Sequence, residues 1–179
     1  MKHTIPFLIG IVFTFNSNAQ RFSIENCSVK FFSNAPVEDI EAYTTDCNSI
    51  IDVSNGDMVF SIPIKGFQFE KSLMQEHFNE NYLESHKYPT ATFVATGVDW
   101  EEFEGTKEVL TEGTLSIHGV KKKAEMKGSM LIEKKQVIID AKFQIELVNY
   151  KIKIPKALFY NIAETIDVTV HFEYKPYKK

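Results

Sequence analysis

Apolar and polar residues alternate with a period of two along most of the chain. The clearest run is VIIDAKFQIEL at 137–147, where the odd positions are apolar and the even positions are mostly polar. Because successive side chains of a β-strand point to opposite faces, this run predicts a strand with one buried and one mostly solvated face. Segments 109–117 and 124–132 alternate in the same way. A turn at His118 and Gly119 separates them, and the three segments are predicted to form a meander.

Further alternating segments lie toward both ends of the chain. Residues 58–65 alternate after a turn at Asn55 and Gly56, and beyond Gly66 the apolar positions change parity, which predicts a bulge or bend there. A last strand is predicted at 162–174. The total is about eight strands, mostly joined by short turns. An antiparallel barrel fits this all-β pattern because closure removes unpaired strand edges, and a flat sandwich is the rival architecture.

Four positions on the predicted buried face carry small residues: Gly113, Ala124, Gly128 and Ala141. Small side chains at such positions either fit the taper of a filled barrel or leave space for a ligand. Composition alone favours the filled barrel, so the alternation by itself does not predict a binding cavity.

One segment, SLMQEHFNENYLESHKYPTATF at 72–93, breaks the strand pattern. Ser72 and Gln75 have the spacing of a capping box. The apolar residues Met74, Phe78 and Tyr82 recur at i, i+4, with Leu73 beside them. The spacing predicts a short amphipathic helix over 73–82 that ends before Pro89, because proline disfavours helical backbone at the residue before it. We expect this helix to close one end of the barrel, with its apolar stripe on the core.

The same segment is rich in histidine and glutamate, which are common in catalytic and metal sites. His77 and His86 are nine residues apart and lack metal-binding spacing, while strand alternation predicts that His118 and His171 point outward. The sequence has no G-x-S-x-G motif and no phosphate-binding loop. We therefore predict no metal, no cofactor and no catalytic residue. An enzyme that uses His77 or His86 with a helical glutamate is the disfavoured alternative, and His77 is instead predicted to make a hydrogen bond that fixes the segment.

The first 19 residues, MKHTIPFLIGIVFTFNSNA, have the composition of a cleaved signal peptide: one Lys, an apolar run, and small residues at the cut. We therefore expect residues 20–179 to form one exported domain, in the periplasm or outside the cell. The apolar run is shorter than the roughly 20 residues of a membrane helix, and no later segment reaches that length, so no transmembrane segment is predicted. Gln20 stands where a lipoprotein would have Cys, so we expect no lipid anchor.

The charge balance bears on the possible partners. The chain has 20 Lys and Arg against 24 Asp and Glu, with Arg21 the only arginine, which argues against a nucleic-acid partner. Lysines at 121–123, 151 and 153 would attract a phosphate or a membrane headgroup if they lie at one end of the barrel; solvated strand edges are the alternative. A transient contact with a membrane surface and a homodimer are both compatible with the sequence.

Two cysteines, Cys27 and Cys47, lie in a chain that we expect to be exported, where disulfides persist. A hairpin centred on Val37, in the register that pairs Phe31 with Tyr43, places the two cysteines opposite each other. Residues opposed in this way are about 4.5–5.5 Å apart at Cα, within the range of a disulfide. A disulfide and two buried thiols both stay open, and a redox-active pair is disfavoured because the spacing is not C-x-x-C.

Three sequence motifs resemble the YceI-like family of exported lipid-binding proteins: LMQEHFNENYLESHKYPTATF, the preceding FSIPIKGFQFEKS, and the following GTLSIHGVKKK. The family pattern of the helix and next strand is met by His77, Phe78, Lys87, Tyr88, Pro89, Thr90 and Phe93. Its L-x-I-H-G-V-T-K turn is met by Leu115, Ile117, His118, Gly119, Val120 and Lys122. Lys121 stands where the family usually has Thr. The resemblance covers residues 22–174.

The resemblance implies a lipocalin-like, eight-stranded antiparallel barrel that holds a long apolar lipid for transport or storage. The implied ligand class is polyisoprenoid, such as a quinone or a polyprenyl phosphate, and no catalytic residue is implied. An envelope structural or interaction protein without a small-molecule ligand is the alternative. Together with the alternation, the implied lumen has these predicted ligand contacts: Val29, Phe31, Phe60, Ile62, Leu73, Met74, Phe78, Leu115, Ile117, Met126, Met130, Ile139, Phe143, Val168 and Phe172.

Overall fold

The computed structural model describes residues 21–34, 39–98, 100, 105–133, 136–154 and 162–177. Within these residues the strands are β1 (Arg21–Ser33), β2 (Ile40–Thr44), β3 (Asn48–Asp52), β4 (Asp57–Pro63), β5 (Gln68–Phe69), β6 (Thr90–Ala95), β7 (Gly105–Ile117), β8 (Val120–Glu133), β9 (Gln136–Glu146) and β10 (Thr165–Pro176). The helix α1 (Ser72–His77) continues into a π turn (Phe78–Tyr82), and two 3-10 turns span Ile64–Gly66 and Leu147–Tyr150.

Eight of these strands form a closed barrel. Hydrogen-bonded neighbours follow the order β1, β3, β4, β6, β7, β8, β9 and β10, and β10 pairs with β1 to close the ring. Each pairing around the ring is antiparallel. The predicted eight-stranded antiparallel barrel is therefore confirmed. The rival flat sandwich is wrong, because the pairing of β1 with β10 joins what would otherwise be two edges.

Two short strands extend the barrel wall beside β1. β1 pairs with β2 over residues 29–33 and with β3 over residues 21–23, so β2 and β3 together are one interrupted partner of β1. β5 adds a two-residue edge to β2. The predicted bend at Gly66 is the 3-10 turn that ends β4 and leads to β5.

A disulfide joins Cys27 and Cys47, whose Cα atoms are 6.4 Å apart. The hairpin register differs by one residue from the predicted one, because Phe31 pairs with Ala42 rather than with Tyr43. Cys47 lies in the interruption between β2 and β3, where the chain leaves the regular ladder. This irregularity brings Cys47 to Cys27 although the two residues are not paired in the ladder.

Some sequence predictions fall outside the described residues. The signal peptide over residues 1–19, the cut before Gln20 and the hairpin centre at Val37 all belong to this group. Among the helices that the structure describes, none combines the length and the apolar character that crossing a membrane requires.

The helical segment begins one residue earlier than predicted and changes type along its length. Lys71 is the N-cap of α1 and makes no side-chain capping bond, so the predicted capping box is wrong. Gln75 does reach back, but its Oε1 accepts a hydrogen bond from the Phe69 backbone N–H at 3.3 Å. This bond ties the helix to β5 instead of to Ser72. The helical segment ends at Tyr82, as predicted.

The π turn changes which side chains of the segment face the barrel. Leu83 donates its backbone N–H to the Phe78 carbonyl at 2.9 Å, five residues back. Because π-type hydrogen bonds join residues five apart, they bring such residues to one side of the segment. Phe78 and Leu83 accordingly both face the interior.

The barrel end opposite α1 is filled by side chains. Four of them are at most 3% exposed: Tyr174, Ile51, Val137 and Met130. The Tyr174 hydroxyl shares a 2.7 Å hydrogen bond with Ser49 Oγ, which also donates to the Val59 carbonyl at 2.8 Å. A buried phenol needs such a partner. The filled end is therefore a packed core with its polar atom satisfied.

Candidate functional site

The rest of the barrel interior encloses a cavity of about 190 Å³. Inward-facing side chains of the barrel strands form most of its wall, and residues of the helical segment and of both 3-10 turns complete it. Of its 28 lining residues two are polar, Thr92 and Thr111, and none of these 28 is charged. The cavity therefore presents almost only hydrocarbon and aromatic surface to a molecule inside it.

Twelve of the fifteen predicted contact residues line this cavity: Val29, Phe31, Phe60, Ile62, Phe78, Leu115, Ile117, Met126, Ile139, Phe143, Val168 and Phe172. The other three do not. Leu73 is 60% exposed, because α1 turns it toward solvent. Met74, the next residue, is partly buried but does not reach the cavity. Met130 points inward but belongs to the filled end of the barrel.

Four phenylalanines fasten the helical segment to the barrel wall. The ring centroid of Phe78 lies 5.5 Å from that of Phe31, 5.6 Å from Phe67 and 5.0 Å from Phe69. At such distances aromatic pairs stabilise a structure beyond their burial alone. Phe31, Phe67 and Phe78 also line the cavity. The cluster is thus both the anchor of the segment and part of the cavity wall.

The small inward residues serve two different purposes. Gly128 and Ala141 are direct partners across β8 and β9, and both line the cavity. Gly113 instead makes room for a neighbour, since a Cβ there would lie 2.5 Å from the Phe93 ring. Ala124 is the partner of Gly113 and does not line the cavity. The wholly filled barrel that composition favoured is wrong, although part of the small-residue set does serve packing.

Several wall residues were missing from the predicted contacts. Met58 and Ile64 follow the inward alternation of β4, so the pattern contained the signal for them. Leu83 depends on the π turn, and Leu147 and Ile152 depend on a 3-10 turn after β9. Leu147 also continues the alternation of the run 137–147, so the pattern contained a signal for it. Leu83 and Ile152 follow turns without a periodicity of their own, so no pattern announces these two residues.

The predicted orientation of His118 is wrong. Strand alternation predicted that its side chain points outward, and it does not. Its side chain is 11% exposed, with Nε2 3.0 Å from Glu84 Oε2 and Nδ1 3.1 Å from the Tyr150 carbonyl oxygen. The Tyr88 ring packs edge-on against it at 4.6 Å. His118 thus joins the loop after the π turn, the β7–β8 turn and the second 3-10 turn. The fixing hydrogen bond that we predicted for His77 is made here by His118.

The β7–β8 turn explains how His118 reaches these partners. His118 and Gly119 both have positive φ, 51° and 72°, as the central residues of a two-residue hairpin of type I′ require. A Cβ at position 119 would lie 2.5 Å from the Tyr88 ring, so only glycine fits. The turn therefore changes the direction of the His118 side chain. The prediction had assumed that His118 continues the alternation of the strand.

The electrostatics of this contact centre on Glu84. Hydrogen bonds from Lys87 and then from His118 hold the pKa of the Glu84 carboxyl below its ordinary value. The Glu84 carboxylate is therefore held between Lys87 and His118 at the end of the barrel that carries α1.

Comparison with known proteins agrees with this architecture. The family model of the YceI-like domain matches residues 15–174. No curated protein matches the chain.

Three solved structures share the fold at low sequence identity. A polyisoprenoid-binding domain from Saccharophagus degradans has 14% identity and a TM-score of 0.77, over 87% of this chain and 98% of that one. BcnA of Burkholderia cenocepacia has 14% identity and a TM-score of 0.68, over 82% and 95%. The YceI protein of Campylobacter jejuni has 16% identity and a TM-score of 0.62, over 82% and 90%.

Proposed function

The chain belongs to the YceI-like family, and on that premise we propose that it is a binding protein that holds a long apolar lipid inside the barrel. The observation that carries this proposal is the cavity wall, in which only Thr92 and Thr111 among the lining residues are polar. A lining without titratable side chains suits binding rather than acid–base or nucleophilic chemistry. We therefore propose a carrier or storage role and no catalytic one.

The energetics of such a cavity favour hydrocarbon. An apolar cavity of about 150 Å³ in another protein stays free of water and admits benzene, and this cavity is larger, at about 190 Å³. One isoprene unit has five carbons and would gain about 4 kcal/mol on burial, before the cost of association is subtracted. Met58 and Met126 in the wall can adjust to the ligand because their side chains are unbranched and flexible.

The ligand class and the location are finer parts of the proposal. The domain from Saccharophagus degradans is described as polyisoprenoid-binding, and it shares this fold. We propose the same ligand class here, in a protein that is exported to the periplasm or outside the cell after removal of residues 1–19. The apolar wall supports a chain-like hydrocarbon ligand in general, and the fold likeness supports the isoprenoid class.

Organic extraction and mass spectrometry test the proposal. The protein, purified without detergent, should release a lipid in nearly stoichiometric amount. Ala141→Trp should abolish this, because Ala141 lines the cavity opposite Gly128 and an indole would occupy the space. Lys142→Trp is the matched control, since Lys142 is the next residue on β9 and faces solvent. Thermal melting should show that both variants are folded.

Two results would count against a lipid carrier. One is a protein that neither retains an extractable lipid nor takes up an added isoprenoid alcohol. The other is equal lipid retention by the Ala141→Trp and Lys142→Trp variants. Either result would favour the structural or interaction role without a small-molecule ligand.

A further inference from the structure

The lysines at 121–123, 151 and 153 all lie at the end of the barrel that carries α1. β8 begins at this end, and the second 3-10 turn leaves β9 at the same end. Two contacts hold that turn against the β7–β8 hairpin: Lys122 Nζ donates to Asn149 Oδ1 at 2.8 Å, and His118 Nδ1 meets the Tyr150 carbonyl at 3.1 Å. Lys151, the next residue, is therefore beside the lysines of β8.

The side chain of Lys122 leaves the opposite face of strand β8 from those of Lys121 and Lys123. It is the ladder partner of Leu115, whose side chain lines the cavity. Directly opposed residues of an antiparallel pair point to the same face of the sheet. The stem of Lys122 therefore starts on the inner face of the wall, whereas Lys121 and Lys123 belong to the outer face.

The ammonium of Lys122 contacts a turn that borders the cavity, although Lys122 is not itself a lining residue. Its partner Asn149 lies in the turn whose Leu147 forms part of the cavity wall, and Ile152 of the wall follows this turn. Lysine commonly keeps its charge in water while its stem covers apolar surface. The side chain is exposed, so the charge is accessible at the rim.

The charge of Lys122 is not neutralised within the part of the chain that the structure describes. Its hydrogen-bond partner is a neutral amide. Glu146 does not contact Lys122 directly. Its carboxylate accepts a hydrogen bond from Asn149 Nδ2 at 2.8 Å. Around the same turn Lys121, Lys123 and Lys151 lie with Glu146 and Glu164, and Glu84 at this end is already paired with Lys87 and His118. The rim is therefore a basic spot on a chain whose formal net charge is −4.

We propose that the lipid in the cavity carries an anionic head group, a phosphate or a carboxylate, and that Lys122 binds this head group at the rim. The inference rests on the proposed function. The cavity wall has no charged residue to hold such a head, so it must lie outside the apolar space while the tail lies inside. Charge-assisted hydrogen bonds are roughly twice as strong as neutral ones, so an anion would displace the Asn149 amide from Lys122.

Two matched lipid pairs test the inference by isothermal titration at low salt. Farnesyl phosphate is compared with farnesol, and hexadecanoate with hexadecanol, so that each pair differs only in its head. The native protein should bind each anion about tenfold more tightly than its alcohol, as expected for one charge-assisted hydrogen bond. Lys122→Met should remove this preference and leave binding of the alcohols unchanged, because methionine keeps most of the stem.

Lys127→Met is the matched control, because Lys127 lies on the outer face of the same strand. It should keep the preference for the anions. Inorganic phosphate, added alone as a competitor, should not displace farnesyl phosphate. Competition at a concentration similar to that of the lipid would mean a site for free anions, which overturns the proposed role in lipid recognition.

The failure of this inference is distinguishable from the failure of the proposed function. If the native protein binds none of the four lipids, the lipid carrier itself is refuted. If it binds anions and alcohols equally, the carrier stands and the anionic head group is refuted. If Lys122→Met weakens both members of a pair equally, the carrier stands and the recognition of the head group by Lys122 is refuted.

Discussion

The aromatic anchor of the helical segment allows a quantitative test of how that segment is held. We consider Phe78→Ala, which removes one ring from the cluster with Phe31, Phe67 and Phe69. Truncation of a buried phenylalanine to alanine costs about 3–5 kcal/mol. Phe78 is only partly buried, which lowers this cost, but each of its three ring contacts contributes about 0.5–1.5 kcal/mol of its own. We therefore expect a loss of about 3 kcal/mol.

Leu73→Ala is the matched control on the same segment. Leu73 is 60% exposed, so its truncation should change stability by less than about 0.5 kcal/mol. Urea unfolding gives the global free energy for both variants. Limited proteolysis with sequencing of the cut sites shows whether residues 72–85 open before the barrel does.

The two variants give opposite results if the reasoning is right. Phe78→Ala should be destabilised and cut within residues 72–85, while Leu73→Ala should resemble the native protein. Equal stability of the two variants, or proteolysis that begins elsewhere in Phe78→Ala, would refute the idea that the phenylalanine cluster anchors the segment.

Three further predictions concern stability. Reduction of the Cys27–Cys47 disulfide, which spans 20 residues, should lower the free energy of unfolding by about 3 kcal/mol. This loss is measured as a fall in melting temperature when reductant is added. A Cys27→Ser, Cys47→Ser double variant is the control and should show no such fall. Ser49→Ala should lower the free energy of unfolding in urea by about 2–3 kcal/mol, because it leaves the buried Tyr174 hydroxyl without a partner. Tyr174→Phe removes that hydroxyl and should lower it by only about 1 kcal/mol. Equal losses in the two variants would contradict the hydrogen bond. Hydrogen bonds to Asp140 and then to Glu173 raise the pKa of His171 above its ordinary value, so this contribution is fully present below pH 6.5 and is lost as the pH rises through the raised pKa. The stability advantage of the native protein over His171→Gln should therefore shrink as the pH rises above about 6.5, and an advantage that grows with rising pH would show the sign to be wrong.

The barrel could be predicted from the sequence because its strands obey one simple rule. Alternation with period two placed Phe60, Leu115 and Phe143 on the inner face, and all three line the cavity. Most neighbouring strands of the barrel also follow one another along the chain. The order of these strands could therefore be predicted without knowledge of contacts between distant parts of the sequence.

The rest of the site depends on local departures from that rule. One extra residue per turn in the π segment brings Leu83 inward, and α1 turns Leu73 to solvent. Positive φ at His118 rotates a residue that strand parity assigns to the outside. Cys47 lies in the interruption between β2 and β3, outside the regular pairing with β1 that resumes in the same register. Each of these departures breaks the period of two, so the alternation of apolar and polar residues does not report it.

The core around Tyr174 makes the barrel a tube that is closed at one end. For the lipid carrier proposed above, a tail that enters from the α1 end would have to leave by the same end, so a second molecule could not follow the first through the protein. Uptake and release of the lipid would then be separate encounters at one opening. The source of the lipid and its recipient would contact the same face of the protein, one after the other and never at the same time.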